Sequence, residues 1–164
     1  MKKSIKFLFL GGLALIMLNS CSKEMEDKTP QYGEKNVIVG ISYGGDYENY
    51  EEVIGLQIIG NNITNTNVEG IKWTETTRPD QSAAQFQHIG NASGGVLKLK
   101  TTKPISGCTL VASFVPKDGV EIEEPMTINV QYFIENKLVK TDDFSMGEGD
   151  DTYQGILVIN DYID

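Results

Sequence analysis

The chain has 164 residues, 40% of them hydrophobic and 23% charged, with 17 glycines, 2 cysteines and 1 histidine. That length suits one domain, and the composition excludes wholesale disorder and collagen-like repetition. Two cysteines cannot build the disulfide lattice of a small secreted scaffold. A formal charge of −9 argues against a nucleic-acid partner, because phosphates are bound by basic surfaces that displace their counterions.

The chain opens with Lys2, Lys3 and Lys6, followed by an apolar run from Phe7 to Leu18. A bilayer core of about 30 Å needs a helix of about 20 apolar residues, so this run is too short to span it. A basic head on a short apolar core has the layout of a secretory signal peptide. The segment ends Leu18-Asn19-Ser20-Cys21, which resembles the lipobox of bacterial lipoproteins. That resemblance implies residues 1–20 as a removable type II signal peptide. It implies a diacylglycerol on the thiol of Cys21, acylation of the new amino group, and membrane lipid as a partner through Cys21. Two or three acyl chains hold a protein on a membrane stably. Next come Ser22-Lys23-Glu24-Met25-Glu26-Asp27, which resemble the acidic export tag of surface-exposed Bacteroidota lipoproteins and imply display outside the outer membrane. A periplasm-facing position remains open as the alternative. Loss of the signal segment removes three lysines and no acidic residue, so the formal charge falls from −9 to −12.

Residues 21–34 are polar, contain Pro30 and Gly33, and read as a flexible tether. From residue 35 to 164 the pattern predicts strand after strand. Val37, Val39, Ile41 and Tyr43 alternate with Ile38, Gly40 and Ser42. Val53–Ile59 forms a second run, and Ile71–Thr74 a short third one with Trp73 as an anchor in the core. The stretch from Thr74 to Gly95 is the least regular, with Ser82-Ala83-Ala84 as a candidate helix start. Val96–Lys100 shows period two with Lys98 and Lys100 on one face. Cys108, Leu110, Ala112 and Phe114 share a face, as do Ile128, Val130, Tyr132 and Ile134. A turn near Glu135-Asn136-Lys137 predicts a hairpin into Leu138–Thr141, and Gly155–Ile159 supplies a last strand. Many short strands punctuated by glycine and asparagine turns predict an all-β domain. The expected form is an antiparallel sandwich of immunoglobulin-like type, with a small β-barrel as the alternative.

No catalytic constellation is expected. His88 stands alone, without a nucleophile elbow elsewhere, and reads as an ordinary strand or loop residue. Cys108 falls in an alternating apolar run and reads as a buried, inert thiol. One histidine and one remaining cysteine are too few for zinc. Calcium is the single metal to weigh, at Asp142, Asp143, Glu148, Asp150 and Asp151, where hard oxygen ligands crowd a glycine-rich loop. The spacing does not match an EF-hand, and a solvated turn is the expected reading. The tripeptides Asn62-Ile63-Thr64 and Asn91-Ala92-Ser93 fit a glycosylation pattern by chance. Tyr43, Tyr47 and Tyr50 lie among acidic and amide residues, where tyrosines either stack on a ligand or pack on their own domain. The sequence therefore predicts an outer-membrane lipoprotein that binds a protein or glycan, in adhesion, capture or assembly. It predicts no cofactor. The alternatives are a periplasm-facing accessory of a secretion or transport complex and a carboxylate-dependent hydrolase.

Overall fold

The computed structural model describes residues 33–146 and 152–162. The signal segment, Cys21, nearly all of the tether and the acidic residues 147–151 lie outside the described residues. Ten strands follow in order: β1 (Val37–Gly44), β2 (Tyr50–Ile59), β3 (Val68–Glu69), β4 (Glu75–Thr77), β5 (Ala83–Asn91), β6 (Val96–Thr101), β7 (Gly107–Pro116), β8 (Thr127–Ile134), β9 (Lys137–Ser145) and β10 (Thr152–Val158). Single 3-10 turns occupy Tyr47–Asn49 and Ile159–Asp161.

The strands form two antiparallel sheets of five, ordered β3-β6-β1-β8-β9 and β10-β7-β2-β5-β4. Neither sheet closes on itself, so the architecture is a β-sandwich and not the alternative barrel. Its logic is the period-two alternation of side chains. On the first sheet Val37, Val39 and Ile41 of β1 and Ile128, Val130 and Tyr132 of β8 point inward. They meet Ile54, Leu56 and Ile58 of β2 and Leu110, Ala112 and Phe114 of β7, and all join one buried cluster. Removing such a side chain from water is worth about 1.5–3 kcal/mol each. The hairpin between β8 and β9 turns through Glu135 (φ 48°) and Asn136 (φ 66°). Two successive positive φ values define the tight turn whose twist matches paired strands.

Two expectations fail, for physical reasons. Ser82-Ala83-Ala84 starts no helix, because Ala83–Asn91 is strand β5, paired with β2 from Ile59↔Ala83 to Glu51↔Asn91. The helix-like start signal belongs to Asp80, whose Oδ1 accepts from Ser82 N at 2.7 Å, Ser82 Oγ at 2.7 Å and Ala83 N at 3.0 Å. That local turn launches a strand instead of a helix. Residues 71–74 form no strand either. Here the chain crosses from β3 in one sheet to β4 in the other. Trp73 is half-buried at the crossing instead of deep in the core. Its Nε1 donates to Val68 O at 2.6 Å and its ring lies 5.3 Å from that of Phe86. Arg78 secures the neighbouring loop, donating to Ile63 O at 3.0 Å and Thr66 O at 2.6 Å.

Where β9 meets β10 the two sheets are joined by polar groups. Tyr132 and Tyr153 share a hydrogen bond of 3.2 Å between hydroxyls, and Tyr153 donates to Asp142 Oδ2 at 2.6 Å. Lys140 pairs with the same carboxylate at 2.8 Å. Burial opposes the charge on Asp142, but the hydrogen bonds from Lys140 and Tyr153 prevail and hold its carboxyl below the usual range. Gly155 leaves the space these two hydroxyls occupy, since a Cβ there would collide with both. Gly155→Ala is expected to cost about 1–3 kcal/mol through overpacking, read as a lower urea midpoint. Gly40→Ala is the control: its added carbon meets nothing nearer than 3.9 Å, and its midpoint stays close to the parent's.

Candidate functional site

Among the described residues Glu52 is the one charged side chain that is buried, at 4% exposure. It lies on the inward side of β2, between Tyr50 and Ile54, where the alternation calls for an apolar residue. Taking a carboxylate out of water is costly unless hydrogen bonds replace the lost hydration. Tyr43 at the end of β1 supplies one from the opposite sheet, donating from its hydroxyl to Glu52 Oε2 at 2.8 Å. The other oxygen, Oε1, lies 3.7 Å from His88 Nε2, beyond the reach of a direct hydrogen bond.

His88 reaches this position because β5 pairs with β2 in the register Ile54↔His88 and Glu52↔Gly90. Gly90 has no side chain where the imidazole lies: a Cβ there would stand 2.5 Å from His88 Nε2. On the far side of the ring, Nδ1 lies 2.8 Å from Lys72 O. A carbonyl can only accept, so Nδ1 carries a hydrogen and Nε2 is the atom turned toward Glu52. Burial is the main force on Glu52 and raises its carboxyl above the usual range, against the opposing hydrogen bond from Tyr43 and the charge of His88. Tyr43 is itself pushed well above the ordinary phenol value, first by burial and then by the neighbouring Glu52.

These three side chains border a cleft of about 550 Å³ at the rim of the sandwich, whose walls include Ile71, Asn91 and Ser93. Tyr43 is fixed from behind, stacked on Tyr47 at a centroid distance of 5.7 Å and edge-on to Phe114 at 6.2 Å. Of the three tyrosines singled out in the sequence, Tyr43 thus borders the cleft, Tyr47 supports it, and Tyr50 is buried at 4% exposure. The arrangement can accept a hydrogen bond from an incoming N–H or O–H group at Glu52 Oε1.

The remaining sequence candidates are not drawn into this site. Cys108 is buried between the sheets, and its thiol is pushed up to about 12 by desolvation, so it stays protonated and unreactive. Asp142 and Asp143 are neighbours in β9 but engage different groups: Asp142 is held by Lys140 and Tyr153, and Asp143 accepts from Asn129 Nδ2 at 2.8 Å. Among the described residues no three histidine, cysteine or acidic side chains converge as metal ligands. Asn91 and Ser93, flagged as a chance tripeptide, line the cleft. Glu52 itself escaped the sequence reading, although its parity with Tyr50, Ile54 and Leu56 was visible.

The raised carboxyl of Glu52 sets a pH dependence. The folded chain holds this proton more tightly than the unfolded chain, so the site's contribution to stability is complete below the ordinary glutamate range. It is lost as the pH rises through the raised value. Glu52→Gln does not titrate. Its melting temperature minus that of the parent is expected to grow from about pH 4 to about pH 7, and a difference that does not change with pH would refute the assignment.

No protein-family model matches the chain, and no curated protein matches it. Solved structures do resemble it in fold. A DUF4425 family protein from Bacteroides ovatus ATCC 8483 is 11% identical, with a TM-score of 0.50 over 76% of this chain and 95% of that one. A protein from Parabacteroides distasonis, solved by NMR in its calcium-bound form, is 16% identical, with a TM-score of 0.52 over 79% of this chain and 99% of that one. At such identities the likeness is one of fold alone.

Proposed function

We propose that the protein is a lipid-anchored envelope protein, displayed outside the outer membrane, whose sandwich captures a ligand in the Glu52 cleft. The observation that carries the binding role is the buried carboxylate itself, 4% exposed on a cleft wall, with one oxygen engaged by Tyr43 and the other 3.7 Å from His88. A group with N–H donors and positive charge suits that second oxygen best. The acidic chain draws cations toward it, and Tyr43 offers an aromatic neighbour. The group is an ammonium or guanidinium, whether on a lysine or arginine of a protein or on an amino sugar of a glycan. Cys21 in its lipobox and the acidic segment after it support anchoring and display, and the Bacteroidales origin of the fold neighbours agrees with that tag. A hydrolase of the two-carboxylate kind needs a second acid across the cleft, and among the described residues Glu52 is the one carboxylate that lines it.

Anchoring and display are tested on whole cells. Cys21→Ala is expected to abolish fatty-acid labelling and leave the precursor uncut, while proteinase added to intact cells removes the parent domain. Protection until the outer membrane is permeabilised would favour the periplasm-facing reading instead. Binding is tested by melting the protein with agmatine, glucosamine and, as a neutral control, N-acetylglucosamine. At ten times its Kd a ligand contributes about 1.4 kcal/mol, a rise of about 3–6 °C for a domain of this size, expected for the two amines and absent in Glu52→Gln. A rise that survives Glu52→Gln would place binding elsewhere. With calcium chloride in the same series, a rise that survives Glu52→Gln would point to the acidic residues between Asp142 and Asp151.

A further inference from the structure

Four strands of the second sheet, β10, β7, β2 and β5, share an outward grid that carries no charge. Its register aligns four rows across β10, β7, β2 and β5, from Thr152–Ser113–Val53–Ile89 at one end to Val158–Gly107–Ile59–Ala83 at the other. None of the sixteen outward positions in this grid is Asp, Glu, Lys or Arg, in a chain that is 23% charged. The charges nearest in register, Glu51 and Glu75, sit past the end of the grid and on the edge strand. Four branched apolar side chains stand open on the grid: Ile89 at 56%, Ile156 at 54%, Ile59 at 44% and Val158 at 38%. Val115, at 41%, continues the same face beyond the Thr152 row, beside Glu51. The outward side of the first sheet differs, carrying Lys98, Lys100, Glu69 and Asp143.

We infer that this face pairs with the same face of a second copy of the chain. Two molecules with a formal charge of −9 repel one another over most of their surfaces, and like charges brought into contact oppose association. Only where both surfaces lack charge can they meet without desolvating carboxylates. A partner of opposite charge would be steered to the acidic surfaces, so a neutral face on an acidic protein suits a partner with the same charge. The geometry is favourable as well. Two sheets stack face to face at about 10 Å through alternating side chains, and a two-fold axis makes one patch complementary to itself. With strands about 4.8 Å apart and residues about 3.3 Å apart, the grid measures roughly 20 by 20 Å. That is well below the roughly 800 Å² per partner of a standard stable complex, so the pairing is weak and depends on local concentration.

The test uses the full chain in its native membrane, with single cysteines and a short bis-maleimide cross-linker. Cys108 is buried and its thiol stays protonated, so it does not interfere. Gln57→Cys and, independently, Thr109→Cys lie within the grid, and Gln131→Cys lies on the outward side of the first sheet as the matched control. Cross-linked dimer is expected for the first two and not for the control, with loss of the band when Ile156→Lys adds a charge to the face. Absence of dimer at both grid positions, or equal dimer at Gln131→Cys, would overturn the inference. A cross-link to a different protein at the grid positions would overturn it too, assigning the face to a partner of another kind.

Discussion

The parity of β2 and β7 governs this molecule. The two central strands of the second sheet pair without a break from Tyr50↔Pro116 to Ile59↔Gly107, and side chains alternate faces with a period of two. One alternation therefore decides three things together. It sends Ile54, Leu56, Ile58, Leu110 and Phe114 into the core, carries Glu52 inward with them, and leaves Val53, Gln57 and Thr109 on the opposite face. A slip of one residue would exchange these sets. It would leave Ile54 and Leu56 in water and bring Glu51 into the core in place of Glu52. Burial of the apolar set by far outweighs any cost at the single carboxylate, so the register is fixed by the core and Glu52 is carried along.

A tyrosine hydroxyl from the facing sheet engages that buried carboxylate, and another engages the half-buried Asp142. Tyr43 crosses from β1 to Glu52 on β2, and Tyr153 crosses from β10 to Asp142 on β9. In each case a long aromatic side chain fills apolar volume with its ring and satisfies an acid with its tip. The two differ in outcome. Asp142 also has Lys140 at 2.8 Å and stays easily charged, whereas the second oxygen of Glu52 has His88 at 3.7 Å and its carboxyl is raised. The former is a closed structural bond between strands, and the latter borders an open cleft.

Much of the fold was legible in the sequence, because strands buried on one face announce themselves by alternation. Val37 to Tyr43, Cys108 to Phe114 and Ile128 to Ile134 fell where they were read, and the hairpin at Glu135-Asn136 turned as expected. The misreading of strand β5 has a physical cause. Ala83–Asn91 is thin in large apolar residues, since its inward positions are Ala84, Phe86, His88 and Gly90, so its alternation is hidden by small and polar side chains. Those same residues make room for the cleft. The site was obscured for the same reason that it exists: Glu52 and His88 occupy inward positions with the wrong polarity, which a search for apolar periodicity reads as noise. Their meeting with Tyr43 depends on strand order across two sheets, which no local pattern encodes.

The crossing at residues 71–74 has a wider effect. Because the chain changes sheets there, it leaves only two residues of β3 and three of β4 as the outermost strands along one border of the sandwich, opposite the longer β9 and β10. An outer strand exposes unpaired amides and carbonyls that can template the addition of further strands from other chains, a route to fibrils that native proteins block with short or interrupted borders. Had Ile71-Lys72-Trp73-Thr74 paired as the alternation suggested, one sheet would have gained a long border ready for such growth. Along that border the irregular crossing works as a stop against polymerisation.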